Sequence, residues 1–271
     1  MEYRESKSSL KVAIVIDWLT NFAGAERVVS NLLKIFPEAT IFTSQNKFSK
    51  EELRLYFNYN KDVETTFLNS FPFKYFKHQM LMPLRLAAFE SLNLDDYDLV
   101  ISSASAEAKG VLVPTKSMHI AYVHTPTRYL WVDPDFYIRN NGFGVFSTMA
   151  KFVFKLLFNK LRKDDLMAST RADLIMSNSN EVKNRVSKYY SRDSVVLYPP
   201  VSNLFFETEI KDDDKSCRKY ITVARLVPYK RVDIIIKACI ELKRELLIIG
   251  KGSEEKSLKK LVASLNGSNL I

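Results

Sequence analysis

Cysteine is scarce, with Cys217 and Cys239 the two examples in 271 residues. Neither stands among histidines or acids at metal-ligand spacing, which points to a reducing compartment and away from a zinc site. No stretch reaches the ~20 apolar residues of a membrane-spanning helix. No signal peptide opens the chain: Met1–Ser9 is polar, and the apolar run Val12–Ile16 is too short for an h-region. Glycine numbers seven, and no G-x-G-x-x-G fingerprint follows the first strand. Aromatic-basic RNA wording and helix-turn-helix wording are also missing, so nucleic-acid binding would rest on charge alone.

What is present is globular. Hydrophobic residues make up 46% and aromatics 12%, enough for one large domain or two small ones. The formal charge of +9 suits nucleic acid, an anionic membrane or a phosphorylated substrate, and does not choose among them.

Read in order, the chain alternates short apolar runs with helical periods. Val12–Ile16 is a buried-strand pattern ended by Asp17. A loop follows with Gly24, then a helix from Ala25 with Val28, Val29, Leu32, Leu33 and Phe36 on one face, stopped by Pro37. Gly24 would let backbone approach a ligand phosphate closely, although a plain βα turn reads the same way. Further strands are expected at Ala39–Thr43, Val63–Leu68, Tyr97–Ser102, Ala172–Ser177 and Ser194–Tyr198, with a helix at Lys50–Tyr59. Ser179 caps the helix after Ala172–Ser177, and Glu26 and Glu181 are first-turn acids.

Phe143–Arg171 has helical spacing, with Phe146, Met149, Val153, Leu156, Leu157 and Leu161 set as a buried face. It is also basic, through Lys151, Lys155, Lys160, Arg162 and Lys163. A packed helix with a solvated charged face is preferred, and a helix on a membrane surface is the other reading. Pro199-Pro200 then suits a stiff crossover, and charge-rich Glu207–Lys215 an exposed loop. Two domains are expected, 1–200 and 201–271.

Two stretches carry chemistry. In His119–Trp131 a strand ends at Val123 and leaves His124 at its carboxyl edge, held before Thr125-Pro126, as a site candidate, although a lone histidine is more often structural. In Tyr220–Ile240 a strand is followed by a Pro-bearing loop. Arg225 then sits at the strand's carboxyl end and Lys230 opens a helix with Val232, Ile235, Ile236 and Cys239 on one face. Ligands of open α/β sheets bind at that edge, and two cations beside a helix N-terminus suit a diphosphate. A surface Arg and Lys on an ordinary loop fit the spacing equally well. Glu245–Ile249 is the next strand, followed by Gly250-Lys251-Gly252 and a helix capped by Ser253.

The wording of these stretches resembles the retaining glycosyltransferases of family 4. Ala224-Arg225-Leu226 with Lys230 and Asp233 is similar to that family's second-domain signature, with Ala224 in place of the usual glycine. His124-Thr125-Pro126 with Arg128, Tyr129 and Trp131 resembles a subgroup that includes mannosyltransferases of bacterial polysaccharide assembly. Ala23-Gly24-Ala25-Glu26 is similar to the family's first loop. The resemblance implies a GT-B-like α/β fold of two Rossmann-like domains, the second incomplete at Ile271.

It further implies that Arg225 and Lys230 hold the donor diphosphate and that His124 reaches a hydroxyl of the donor sugar. The Gly24 loop would close on the donor, and Gly250 and Gly252 would lie near the nucleotide base. Donor and acceptor would be GDP-mannose and a lipid-linked saccharide, with no metal and no cofactor. The protein would be cytoplasmic, peripheral on the inner membrane face. Arg128 would bind an acidic acceptor group or brace the loop. The family's paired donor-site glutamates would fall beyond Ile271. An inactive binding or scaffold protein is therefore one alternative, and a nucleotide-sugar epimerase another.

Overall fold

A computed structural model describes residues 10–70, 72–75, 81–132, 134–135, 147–202, 204–207 and 219–271. The chain divides into two compact units, Met1–Val201 and Ser202–Ile271. Cys217, most of the charged loop after Glu207 and the first residues of the Phe143 helix lie outside the described residues.

The first unit is a parallel sheet of seven strands. They are β1 (Val12–Ile16), β2 (Thr40–Thr43), β3 (Glu64–Thr65), β4 (Leu99–Ala104), β5 (Met118–Val123), β6 (Leu174–Ser177) and β7 (Val195–Val196). Their order is β3-β2-β1-β4-β5-β6-β7. The helices are α1 (Gly24–Ile35), α2 (Lys50–Phe57), α3 (Met82–Glu90), the short α4 (Arg128–Trp131), α5 (Ser147–Ser169) and α6 (Asn180–Tyr190).

β1 shows why both faces must be covered. Val12, Ile14 and Ile16 pack with Val29 and Leu33 of α1 and Leu53 and Phe57 of α2. Ala13 and Val15 point the other way, into a cluster with Phe89 of α3, Leu94 and Val100. The period of two along a strand puts apolar side chains on both faces, so the run reads as continuously hydrophobic.

Two expected strands shrink. Only Glu64–Thr65 pairs with β2, because Thr66 then turns the chain, its Oγ1 accepting from Leu68 N at 3.3 Å to start a 3₁₀ turn. The run near Ser194 keeps only Val195–Val196 in the sheet. Helix α5 is present, and of its expected face Leu161 packs beside Phe154 while Leu156 turns to solvent; Phe146 and the side chains of Met149 and Val153 lie outside the described residues. Phe154, Asp165, Ala168 and Ser169 are buried, while Leu156 is 73% exposed.

The second unit begins with α7 (Leu204–Glu207), followed by the parallel pair β8 (Tyr220–Val223) and β9 (Leu246–Ile249) with α8 (Val232–Glu241) and α9 (Glu255–Ser264). Val232, Ile236 and Cys239 of α8 close its core over Leu226, Leu246 and Leu258. Two sequence expectations are corrected here. Lys230 lies in a 3₁₀ turn, Pro228–Lys230, and α8 starts two residues later after Arg231 takes a left-handed φ of 51°. The last helix starts at Glu255 with Glu254, not Ser253, as its cap.

Candidate functional site

Each unit presents the carboxyl edge of a parallel sheet. In the first unit the strand order reverses between β1 and β4, and that switch point is where such sheets leave a crevice. Asp17, directly after β1, spans it. Its carboxylate accepts from Ser105 N (2.6 Å), Ala106 N (3.0 Å) and Ala108 N (2.8 Å), fixing the loop after β4. Burial, then the neighbouring Glu107, push its carboxyl up to about 6 despite those bonds. Gly24, the first residue of α1, lies exposed on the loop that follows Asp17. A β-carbon there would meet no atom within 4 Å, so the position is open. Glu26 closes the start of α1 by accepting from Ala23 N at 2.9 Å, as a first-turn acid does.

His124 leaves the end of β5 beside β4. Its backbone N–H donates to Ala104 O at 2.9 Å. Its Nε2 lies 2.8 Å from Ser103 Oγ, and its ring packs edge-on to Tyr122. Burial lowers its pKa to about 4, so the imidazole is neutral at neutral pH. A neutral ring held at one nitrogen leaves the other to bond a hydroxyl. His119, earlier on the same strand, is a core histidine. Its Nε2 meets Ser102 Oγ at 2.9 Å, and burial lowers it to about 4 as well.

The segment after His124 is fixed by two buried charge networks. Asp165 of α5 is the hub of one. Its Oδ1 accepts from Lys109 Nζ (2.5 Å) and Thr127 Oγ1 (2.7 Å), and its Oδ2 from Trp131 Nε1 (2.7 Å) and Tyr190 OH (2.8 Å). Arg85 of α3 is the centre of the other. It pairs with Glu107 (Nε to Oε2, 2.8 Å), donates to Tyr129 OH at 2.6 Å, and lies 5.1 Å from the centre of the Trp18 ring. Tyr129 also donates to Glu107.

Thr127, Tyr129 and Trp131 thus brace the loop that carries His124. Sequence reading missed their partners Arg85, Glu107, Lys109 and Asp165, because the counter-charge of each lies far away in the sequence. One signal was available. Of the adjacent Asp164 and Asp165, Asp164 takes the Lys160 pair one turn away (2.5 Å), and Asp165 is left to face inward.

In the second unit, Arg225 and Lys230 stand on the loop between β8 and α8, both exposed. Among the described residues neither has an acidic partner. Arg231, by contrast, pairs with Asp233 through two bonds, 3.0 and 3.2 Å. The loop is held from behind by the Gly250–Gly252 segment. Ala224 N donates to Ile249 O, Leu226 N to Lys251 O and Glu254 N to Leu226 O, each at 3.0 Å. A β-carbon on Gly250 would overlap the Ala224 carbonyl oxygen, and one on Gly252 that of Leu226. Both glycines therefore have a backbone reason to be glycine, beside any contact with a nucleotide. The loop after β8 is thus a rigid platform carrying two uncompensated cations.

That platform lies within the residues that a family model matches. Residues 201–271 match the family model of glycosyl transferases group 1. No curated protein matches the chain in sequence. Among solved structures, Anabaena HepE in complex with UDP is similar at a TM-score of 0.60 and 15% identity. That match covers 96% of this chain and 68% of that one. HepE with UDP and glucose gives a TM-score of 0.60 at 16% identity, with the same coverage. The lipopolysaccharide outer core galactosyltransferase WaaB, in its apo form, gives 0.56 at 18% identity, covering 96% of this chain and 66% of that one. The chain spans about two thirds of the length of these neighbours. The likeness shows an α/β fold of the GT-B glycosyltransferase kind. Family match and fold together support a glycosyltransferase.

Proposed function

We propose that the chain carries the donor-binding and acceptor-side elements of a retaining glycosyltransferase. In this reading it moves mannose from GDP-mannose onto a lipid-linked saccharide. The observation that carries this is the pair Arg225 and Lys230: two exposed cations without acidic partners among the described residues, on a braced loop at the carboxyl end of a parallel strand. A nucleotide diphosphate supplies the negative charge that such a pair lacks.

The chemistry is electrostatic. As the sugar C1–oxygen bond breaks, its electron pair leaves with the diphosphate. Negative charge grows on those phosphate oxygens, and two fixed cations favour that state over the intact donor. The acceptor hydroxyl adds to C1 from the face the diphosphate leaves, and its proton passes to a leaving phosphate oxygen. His124, neutral and held by Ser103, orients a sugar hydroxyl rather than moving a proton.

Mannose and the guanine base rest on the His124–Trp131 wording, and UDP is kept as comparator because HepE was solved with it. The test is incubation with GDP-mannose or a UDP-sugar and a polyprenyl-diphosphate saccharide, followed by mass spectrometry of the lipid product. A product heavier by one hexose with GDP-mannose supports the reading. Transfer only from a UDP-sugar corrects the donor. Conversion of the donor's sugar without acceptor would replace transfer with epimerisation.

A further inference from the structure

β4 carries two adjacent serines, and each meets a histidine. Ser102 and Ser103 point to opposite faces of the sheet, as successive strand residues do. Ser102 Oγ lies 2.9 Å from His119 Nε2, deep in the core, where His119 is 1% exposed. Ser103 Oγ lies 2.8 Å from His124 Nε2 at the carboxyl edge, where His124 is half-buried. The same bond therefore serves a closed core on one face and an open edge on the other.

The hydrogen of the second bond belongs to the serine. Ser103 is fully buried, and a buried hydroxyl needs an acceptor for its hydrogen. Its neighbours in register are Ile16 of β1 and Tyr122 of β5. Ile16 has no polar side-chain atom, and the Tyr122 hydroxyl is already given to Leu197 O at 2.9 Å. Among the described residues His124 Nε2 is the sole partner of Ser103 Oγ. A hydroxyl that accepted from an Nε2–H would leave its own hydrogen buried and unbonded, a cost the other tautomer avoids. The edge-on Tyr122 ring and the bond from His124 N to Ala104 O hold the imidazole in place.

We propose that Ser103 is a positioning residue for His124: its Oγ–H donates to Nε2, keeps the ring proton on Nδ1, and makes His124 a hydrogen-bond donor to a ligand oxygen. Nδ1 has no partner among the described residues. Burial holds the ring neutral at neutral pH, so Nδ1 donates and does not accept. The ligand group it meets must offer a lone pair, and a group that only donates, such as an ammonium, is refused. His124 is also barred from taking the acceptor's proton, which leaves that proton to a phosphate oxygen. That the contacted oxygen belongs to a donor sugar rests on the transferase reading; the tautomer does not.

The experiment is long-range proton–nitrogen NMR of the full chain, isotope-labelled at its histidine nitrogens, at neutral pH and without ligand. The histidines are His78, His119 and His124, and His124→Asn assigns the third by loss of its signals. In the native chain Nε2, the nitrogen coupled to both ring C–H protons, should resonate as a bare nitrogen and Nδ1 as a protonated one. Ser103→Ala should shift the tautomer ratio roughly tenfold toward Nε2–H, the effect of one ordinary hydrogen bond. Ser103→Cys, close in size but a weaker donor, should shift it the same way by less. Circular dichroism checks that each variant is folded. Native signals showing Nε2–H, or an even mixture, would overturn the proposal, and so would a ratio unchanged in either folded variant. No nucleotide sugar is present, so a failure here leaves donor binding untouched, and a chain that binds no donor leaves this result standing.

Discussion

Gly252 lies so close to Leu226 that a single added carbon cannot fit: its β-carbon would stand inside the Leu226 carbonyl oxygen. Gly250 meets the Ala224 carbonyl in the same way, and its φ of 154° is one that other residues rarely adopt. Arg225 stands between these two contacts.

Gly252→Ala should therefore destabilise the second unit by roughly 2 kcal/mol or more, because backbone rather than a flexible side chain must move. Gly24→Ala, with open space around it, should change stability by less than about 1 kcal/mol. Urea unfolding of both variants checks this. An unchanged midpoint for Gly252→Ala would contradict the packing.

Asp165 carries a second prediction. Asp165→Ala leaves Lys109 buried without its charge partner, and should cost about 3–5 kcal/mol. Lys109→Met placed on top should restore part of that loss. A double-mutant cycle by chemical unfolding measures the coupling, and additive costs would show that the pair is not an interacting unit.

Stability should also depend on pH in a definite direction. His119 and His124 titrate near 6.5 in the unfolded chain but near 4 when folded, because burial disfavours the charged rings. Their contribution is complete above 6.5 and is lost as pH falls toward 4. Asp17 acts oppositely: raised from 3.8 to about 6, it holds a proton in the folded state that the unfolded chain has released. Two protons gained on unfolding, less one lost, leave one. Between pH 4 and 6 these groups should make stability rise by about 1.4 kcal/mol per pH unit. His119→Asn with His124→Asn should leave Asp17 alone and turn that rise into a fall of about 1.4 kcal/mol per pH unit. A slope unchanged by the double variant would contradict the assignment.

The sheet was legible in the sequence because parallel strands buried on both faces, such as Val12–Ile16 and Met118–Val123, read as apolar runs bounded by turns. His124 and Arg225 were legible as strand-end residues because each follows a short apolar strand pattern. The buried ions were not. Lys109, Arg85 and Asp165 become core residues only through partners distant in sequence, and no local pattern separates them from solvated charge. Leu156 of α5 was misjudged for the same reason. Leu156 and Leu157 are adjacent and equally apolar, and an inward-facing Asp165 decides which of them turns to solvent. At Lys230 an intervening 3₁₀ turn and a left-handed Arg231 delay the helix, a backbone choice that apolar period does not record.

The most direct test of the donor reading is calorimetric binding of GDP, UDP and their mannose and glucose derivatives, at low and moderate salt. It compares the native chain with Arg225→Ala/Lys230→Ala. The account predicts that GDP-mannose binds, more weakly as salt rises, and that the double variant loses at least about tenfold in affinity while keeping its fold. A folded native chain that binds none of these nucleotides, or a double variant that binds them equally well, would contradict it.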